Sequence, residues 1–217
     1  MINLREFVAS QEGKIFIAGV LLFFGYCTSV VVVYLFSWQD ANDLIIMSFT
    51  NFFFGRAAGI SYGYSAEFND NVIVGMNMMI EFIMVLIIYP LFVLSFNKSV
   101  NIAFLRKFFI EIKKQRRKYK DFFDKYGKYG LFLFVWFPFW MTGPVVGAIV
   151  GFLIGLKHYQ SIFIVLSGTS LAIFVWTYFL KELTFFLNQY NSNSSYLILG
   201  LFILIGVVLK LMKTRKQ

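Results

Sequence analysis

Two charged side chains that lie inside apolar stretches are the residues of this chain with the clearest capacity for chemistry. Arg56 lies well within one apolar segment, and Glu81 lies near the middle of another. Ionisable groups at membrane depth are costly, so they are the first candidates for a binding site or a proton relay. Asp70, Asn77 and Glu81 follow one another at spacings of seven and four residues, which places them on one helical face.

Two interpretations of an Arg56–Glu81 pair are open. In the first, Glu81 takes up a proton or releases Arg56 to an anionic substrate, as carboxylate relays do in transporters. In the second, the pair only fastens one segment to its neighbour, because opposite charges offset much of each other's burial cost. Glu67 and Asp70 flank a membrane end, where we expect solvated side chains that could still meet substrate. Thr142 could bind substrate or cap a helix, and capping is the commoner use.

The sequence contains no arrangement of residues that is typical of an enzyme. It has one histidine, His158, and one cysteine, Cys27, which is too few for most metal sites and catalytic templates. It also lacks a nucleotide-binding loop. We therefore expect a protein that is not an enzyme and that has neither cofactor nor metal. His158 follows Lys157 outside the apolar segments, so a solvent-facing loop residue is expected there, with a role as a proton shuttle as the alternative.

The composition requires a membrane protein. Of the 217 residues, 59% are hydrophobic and only 14% are charged, whereas a soluble domain carries about a quarter charged residues. Ten of the 20 Lys and Arg lie between Arg106 and Lys128. Such a cluster in a membrane protein indicates a cytoplasmic loop that faces anionic lipid, so the net charge of +9 does not predict nucleic-acid binding.

Two of the apolar segments carry a glycine at every fourth residue. The first ladder is Gly55, Gly59 and Gly63, and the second is Gly143, Gly147, Gly151 and Gly155. Small residues on one helical face let two backbones approach closely in lipid. The second segment also contains Pro138 and Pro144, which remove backbone donors and disfavour a straight helix. Interrupted segments in corresponding halves of a chain point towards the core of a transporter.

The distribution of charge predicts how these segments cross the membrane. The apolar segments are 15–36, 44–65, 72–96, 129–156, 161–187 and 196–212. If all of them crossed, either the basic segment 97–128 or the basic C-terminal tail would lie outside, against the positive-inside rule. If the two laddered segments instead return to the side they entered, both basic segments and both termini are cytoplasmic.

We therefore predict an all-α polytopic membrane protein that forms a single membrane domain over residues 1–217. It would contain about four transmembrane helices, two opposed re-entrant hairpins at approximately 44–66 and 129–156, and a basic amphipathic helix on the cytoplasmic surface within 97–128. Gly55, Pro138, Gly143 and Pro144 would shape the hairpin turns. The alternative is that both laddered segments are kinked but complete transmembrane helices.

Two stretches carry a family resemblance. They are Phe54-Gly55-Arg56-Ala57-Ala58-Gly59, followed by Asn77, Glu81 and Tyr89-Pro90-Leu91, and then Tyr129-Gly130, Pro138, Thr142-Gly143 and Gly147. Over roughly residues 44–180 the chain resembles the small multidrug export protein family. That family is distantly similar to the DedA family, whose fold implies two opposed re-entrant hairpins among spanning helices. The resemblance implies transport of drugs or of lipid-like molecules.

The chain departs from the DedA pattern at positions that matter for function. DedA proteins carry arginines three residues before and after the proline of the second hairpin, where this chain has Val135 and Met141. The proline-glycine-glutamate motif of their first hairpin is also absent, and Gly55-Arg56 stands in that region. A DedA-type phosphate-lipid site is therefore not expected here. Arg56 is the one arginine within either predicted hairpin.

These features predict a small secondary transporter of the bacterial inner membrane. It would export an amphipathic, lipid-like or anionic substrate from a site where the two hairpins meet, with protons as the coupling ion. The alternative is a lipid scramblase or a membrane-organising scaffold without energy coupling. The expected partners are membrane lipids, the substrate and protons, and a homo-oligomer is left open.

Overall fold

The fold is helical throughout the described part of the chain. The computed structural model describes residues 4–96, 120–136 and 143–188, with the single positions 200, 201 and 204. Its helices are α1 (Leu4–Ala9), α2 (Gln11–Phe36), α3 (Trp38–Phe54), α4 (Arg56–Ser65), α5 (Asp70–Phe96), α6 (Lys120–Trp136), α7 (Pro144–Leu153) and α8 (His158–Asn188). The predicted all-α class is confirmed.

Three of the described helices are long and apolar enough to cross a membrane. They are α2, α5 and the part of α8 from His158 to Leu183, with 26, 27 and 26 residues. At 1.5 Å per residue each is about 40 Å long, which exceeds a hydrocarbon core of about 30 Å. A multi-pass membrane protein is thus confirmed. The fourth predicted span, 196–212, and most of the basic segment 97–128 fall outside the described residues.

The helices divide into two compact units, each of which contains one glycine ladder. The first unit comprises Met1–Tyr26, Glu81–Phe137 and Met141–Ser170, and the second comprises Cys27–Ile80, Pro138–Trp140 and Leu171–Gln217. Each unit is described separately below. The single membrane domain expected over 1–217 stays a prediction.

In the second unit, α3 and α4 form an antiparallel hairpin, called hairpin 1 here. The chain reverses at Gly55, whose φ of 89° lies in the left-handed region that favours glycine. Past the turn, α4 lies directly against α3, because a Cβ on Gly59 would lie 2.7 Å from the Cβ of Asn51. Nearer the open end, the Tyr62 hydroxyl donates to Asp43 Oδ1 at 2.8 Å.

The length of α4 shows that it cannot cross a bilayer. Its 10 residues span about 15 Å, which is half of a hydrocarbon core. Seven of them, including Arg56, are buried. The helix then ends in a turn in which the Phe68 N–H donates to the Gly63 carbonyl at 3.0 Å. The first laddered segment is therefore a folded-back pair of helices and not one kinked transmembrane helix.

In the first unit, α6 precedes the short helix α7 and together they form hairpin 2. The side chain of Val135 on α6 lies against Gly147, where an added Cβ would come within 2.4 Å of it. Gly151 makes room for Ser161 of α8, whose hydroxyl donates to the Ala148 carbonyl at 2.8 Å. All residues from Pro144 to Gly151 are buried. The second ladder is therefore the surface through which α7 packs into its unit.

Contacts within the first unit also give the relative direction of the long helices. Gly19 on α2 lies against Leu86 and Ile87 of α5. Near the start of α2, Glu12 contacts His158, the first residue of α8, which in turn contacts Tyr89 towards the end of α5. The starts of α2 and α8 thus lie at the level where α5 ends. The helix α5 therefore runs antiparallel to α2. This direction is expected if the first laddered segment returns to the side it entered, whereas six successive crossings would make α5 run parallel to α2.

The two ladders occupy equivalent positions in the two units. Gly55, Gly59 and Gly63 recur 88 residues later as Gly143, Gly147 and Gly151, and the helices that follow begin at Asp70 and His158 with the same offset. The turn after the short helix is also similar in the two units. Glu67 and Gly155 are 88 residues apart, and both have a positive φ, of 60° and 90°. The chain therefore uses one short-helix and long-helix pattern twice.

Cysteine labelling is expected to place both ends of hairpin 1 on one membrane face. In a Cys27→Ser background, Asp40→Cys and Glu67→Cys both replace exposed residues at the open end of the hairpin. A membrane-impermeant maleimide should label both from the same side of oriented vesicles. It should label Lys157→Cys, an exposed position next to the start of α8, from the opposite side. Labelling of the two hairpin positions from opposite faces would contradict the folded-back geometry.

Candidate functional site

The turn of hairpin 1 buries the arginine that the sequence singled out. The Gly55 N–H donates to the Asn51 carbonyl at 2.8 Å and closes α3. Gly55 is at the same time the residue that precedes α4, and it offers no side chain to cap that helix. Arg56 is the first residue of α4 and is only 3% exposed. The turn thus places a buried cation at the start of a half-length helix.

Two sources of positive potential coincide at this turn. The first N–H groups of a helix lack intrahelical acceptors, and the aligned peptide dipoles add about half a positive charge at the N-terminus. In soluble helices an acidic residue usually occupies this end, and here Arg56 occupies it. A low-dielectric environment strengthens both contributions. The turn of hairpin 1 is therefore suited electrostatically to an anionic group.

A buried amide pair lies beside the same turn. Asn51 Nδ2 donates to Asn77 Oδ1 at 2.7 Å, and Asn77 Nδ2 donates to the Ile73 carbonyl at 2.7 Å. The two asparagines are 2% and 1% exposed. Asn51 Oδ1 has no hydrogen-bond partner among the described residues. A buried acceptor of this kind costs about 1–3 kcal/mol until a donor reaches it, so this oxygen is a candidate contact for substrate.

The amide pair connects hairpin 1 to the polar face of α5. Asn77 was a site candidate from its spacing along the helix, and its bond to Asn51 brings this part of α5 against α3. Its role as a site residue stays a prediction. Asn51 was not predicted as a site residue, although an amide within an apolar segment was a usable signal. Glu81 lies one turn after Asn77 on α5 and is 2% exposed. The direct Arg56–Glu81 pair stays a prediction.

The open end of hairpin 1 carries acidic groups that are solvated. Glu67 is exposed, and the Asp70 side chain is 46% exposed while it pairs with Lys181. The Tyr64 hydroxyl lies 3.3 Å from Asp70 Oδ1 and 3.2 Å from the Thr177 carbonyl. Exposed ion pairs contribute at most about 1 kcal/mol. Both acidic side chains are thus accessible to solvent and contribute little to stability, and their position at a membrane surface stays a prediction.

The short helix of hairpin 2 is apolar and carries no charge. Its short helix α7 begins with Gly143 as cap and Pro144 at its first position, and none of its residues is ionisable. Pro144 is favourable here because the missing N–H would have had no helical acceptor. Thr142 and Pro138 lie outside the described residues. Of the ladder glycines of hairpin 2, Gly147 and Gly151 have a packing role, whereas an added Cβ on Gly143 or Gly155 would meet nothing within 4 Å.

The structure corrects the expectation for His158. It was expected to face solvent in a loop, but it is the first residue of α8 and its side chain is only 24% exposed. Both of its ring nitrogens have partners, and its ring stacks on Phe152 at a centroid distance of 5.7 Å. Sequence spacing gave no indication of this, because the partners come from α2, α5 and α7.

The described residues contain no cluster of three or more His, Cys, Asp and Glu side chains that could hold a metal ion. A family model with the description "Putative small multi-drug export protein" matches residues 55–175, which is more than half of the chain. The chain belongs to the small multi-drug export protein family. No curated protein and no solved structure matches it significantly.

The matched region of this small multi-drug export family member contains the candidate site. It begins at the turn residue Gly55 and includes Arg56, Asn77, Glu81 and both ladders. It ends within α8, so the whole of hairpin 2 also belongs to it. The family name describes export, which accords with a multi-pass membrane protein. The distant similarity to DedA proteins stays a prediction.

Proposed function

We propose that this small multi-drug export family member is a secondary transporter that exports an anionic amphipathic or lipid-like molecule across the bacterial inner membrane. The observation that carries the proposal is the buried Arg56 at the uncapped start of the half-length helix α4. Half-helix N-termini inside transporters bind the anionic groups of substrates. The apolar surroundings of the turn suit the hydrophobic part of the same molecule.

In this mechanism Arg56 and the first N–H groups of α4 hold the negative group of the substrate. Asn51 Oδ1, a buried acceptor, would take a hydrogen bond from a donor on the same molecule. A buried polar site that hydrogen-bonds its ligand rejects analogues without the matching groups, since the site would then be left unpaired. Selectivity would thus favour substrates that combine an anion with a neighbouring donor.

Glu81 is proposed as the coupling carboxylate. It is 2% exposed on the face of α5 that carries Asn77, and a carboxylate at membrane depth is a candidate for a proton relay. Uptake of a proton would neutralise it, and loss of the proton would restore a negative charge on that face. A proton gradient could thereby drive the transport cycle. The predicted cytoplasmic position of both termini would place the basic segment beside anionic lipid, where it could gather such substrates.

The test is transport by the purified protein in proteoliposomes. The probe is a fluorescent phosphatidylserine analogue, and its appearance in the opposite leaflet is followed with and without an imposed pH gradient. Transport that requires the gradient supports the proposal. Redistribution at the same rate without a gradient would instead identify a scramblase. Absence of movement, together with absence of movement of an anionic amphipathic dye, would overturn the proposal.

A further inference from the structure

The ends of three helices in the first unit meet at a cluster of titratable side chains. His158 Nε2 lies 3.4 Å from Glu12 Oε1, and His158 Nδ1 lies 2.8 Å from the Tyr89 hydroxyl. Glu12 belongs to α2, Tyr89 to α5 and His158 to α8. The Tyr89 side chain is fully buried, and the Glu12 side chain is 18% exposed. The cluster lies outside the proposed substrate site at Arg56.

The donor and acceptor properties of the neighbouring groups indicate which ring nitrogen of His158 carries the proton when the ring is neutral. A carboxylate only accepts, so the nitrogen that faces Glu12 must carry the proton of the neutral ring. Nδ1 then has a free lone pair and accepts from the Tyr89 hydroxyl. Every polar atom at the centre of the cluster is satisfied in this arrangement. The chain has one histidine, so no second imidazole can exchange roles with it.

Adding a proton to His158 changes the arrangement in a defined way. Nδ1 becomes a donor, so the Tyr89 oxygen must accept, and the hydroxyl proton has to turn to another acceptor. The contact between Nε2 and Glu12 becomes an ion pair. The added proton therefore strengthens the link from α8 to α2 and alters the link from α8 to α5.

Among the described residues, the groups around the ring leave Glu12 as its charged neighbour. From α7 the ring meets Phe152, which is uncharged and stacks at an interplanar angle of 23°. From α5 it meets Tyr89, and from α2 it meets Glu12. The adjacent Lys157 is exposed, as is Lys14 on α2. Both lysines are accessible to water and screening ions, which weakens their effect on the ring.

We propose that Glu12, His158 and Tyr89 form a proton-binding site, loaded on His158, at the membrane face where α2 begins. Histidine is the side chain whose charge changes between pH 5 and 8. The site therefore responds to pH on that face, which is the cytoplasmic one in the topology proposed above. Its response is transmitted to α2 through the contact with Glu12 and to α5 through the hydrogen bond with Tyr89.

The test is nitrogen NMR of the full-length protein in nanodiscs after incorporation of ¹⁵N-labelled histidine. With a tag that lacks histidine, the spectrum reports His158 alone. At high pH we expect one neutral tautomer with the proton on Nε2, and on acidification we expect conversion to the doubly protonated ring. In Glu12→Gln the ring loses its charged partner, so the titration of the ring should differ from that of the wild type. In Tyr89→Phe the Nδ1 resonance of the neutral ring should move to the position of a nitrogen without a hydrogen bond.

Tyr159→Phe and Lys157→Gln are the matched controls, because they alter exposed neighbours of His158 and should leave its titration unchanged. The proposal would be overturned by a ring that titrates identically in wild type, Glu12→Gln and Tyr89→Phe, or by one that stays neutral down to pH 5. Size-exclusion profiles verify that each variant is folded. If one variant does not fold, the tautomer of the wild-type ring still tests the proposal, because a neutral ring with its proton on Nδ1 would contradict it. None of these measurements requires transport, so the proton site and the proposed function can fail separately.

Discussion

Arg56→Ala is expected to reduce transport by about 10- to 100-fold, the factor that corresponds to one hydrogen bond to a charged group of about 1.5–3 kcal/mol. Arg56 is 3% exposed and begins α4, so the variant removes the buried cation and leaves the helix N-terminus in place. Arg56→Lys keeps the charge but cannot form the bidentate hydrogen bonds of the planar guanidinium. Its transport rate should therefore lie between those of the wild type and the alanine variant. The measurement is the initial rate of probe movement in proteoliposomes at matched protein content.

The control for a general effect of charge is Lys128→Ala. Lys128 is exposed on α6, and its removal changes the net charge by the same amount as Arg56→Ala. It should transport at the wild-type rate. If Arg56→Ala is correctly folded and also transports at that rate, the substrate role of Arg56 is wrong.

Glu81→Gln separates coupling from binding in the same assay. The amide has nearly the shape of the carboxylate but cannot release a proton, so transport should no longer depend on the pH gradient. Exchange of substrate between the two sides should continue, because Arg56 remains in place. Gradient-driven transport at the wild-type rate in this variant would exclude Glu81 as the coupling group.

Gly59→Ala is expected to lower the stability of the protein by about 1–3 kcal/mol, the usual cost of overpacking a close contact, and Gly59→Val by more. An added Cβ would lie 2.6 Å from Asn77 Oδ1, 2.7 Å from Asn51 Cβ and 3.2 Å from Asn51 Cα. The last two atoms lie on or next to the backbone of α3, so they cannot move aside cheaply. The substitution would also lengthen the hydrogen bond between Asn51 and Asn77. The measurement is the midpoint of thermal unfolding in detergent, read from the monodisperse fraction.

Two other glycines provide graded comparisons. At Gly63 the nearest atoms are Ile73 Cγ1 at 2.7 Å and Met47 Sδ at 2.9 Å, and the sulfur is on a flexible side chain, so Gly63→Ala should be milder than Gly59→Ala. At Gly75 an added Cβ meets nothing within 4 Å. Gly75→Ala should therefore be neutral, or stabilising by up to about 1 kcal/mol through helix propensity. Equal unfolding midpoints for Gly59→Ala and Gly75→Ala would contradict the close approach described for hairpin 1.

Much of the fold could be predicted because its signals are local. The apolar runs that form α2, α5 and α8 are continuous in sequence, and their lengths match a bilayer. The ladder from Gly55 to Gly63 marks a helix face that packs closely, and Gly59 against Asn51 bears this out. Even the folding back of the first laddered segment could be inferred, because the positive-inside rule uses only the order of charges along the chain.

The partners of individual polar residues could not be predicted in the same way. The position of Asn77 on a helix face follows from a period of 3.6 residues, but its bond to Asn51 depends on how hairpin 1 packs on α5. His158 shows this more strongly, since Glu12, Tyr89 and Phe152 come from three different helices. Packing between distant segments depends on the shapes of many side chains together, and no short pattern in the sequence encodes it.

The sequence by itself thus determined that this is a polytopic helical membrane protein, that Arg56 and Glu81 lie within apolar segments, and that glycines allow close packing in two segments. Those properties depend on hydrophobicity, charge and helical period, which each segment carries alone. The tertiary structure decided that Arg56 is buried at the start of a half-length helix, that Asn51 bonds to Asn77 and that His158 contacts both Glu12 of α2 and Tyr89 of α5. These depend on where the chain reverses and on which faces meet, and therefore on the packing of the folded units.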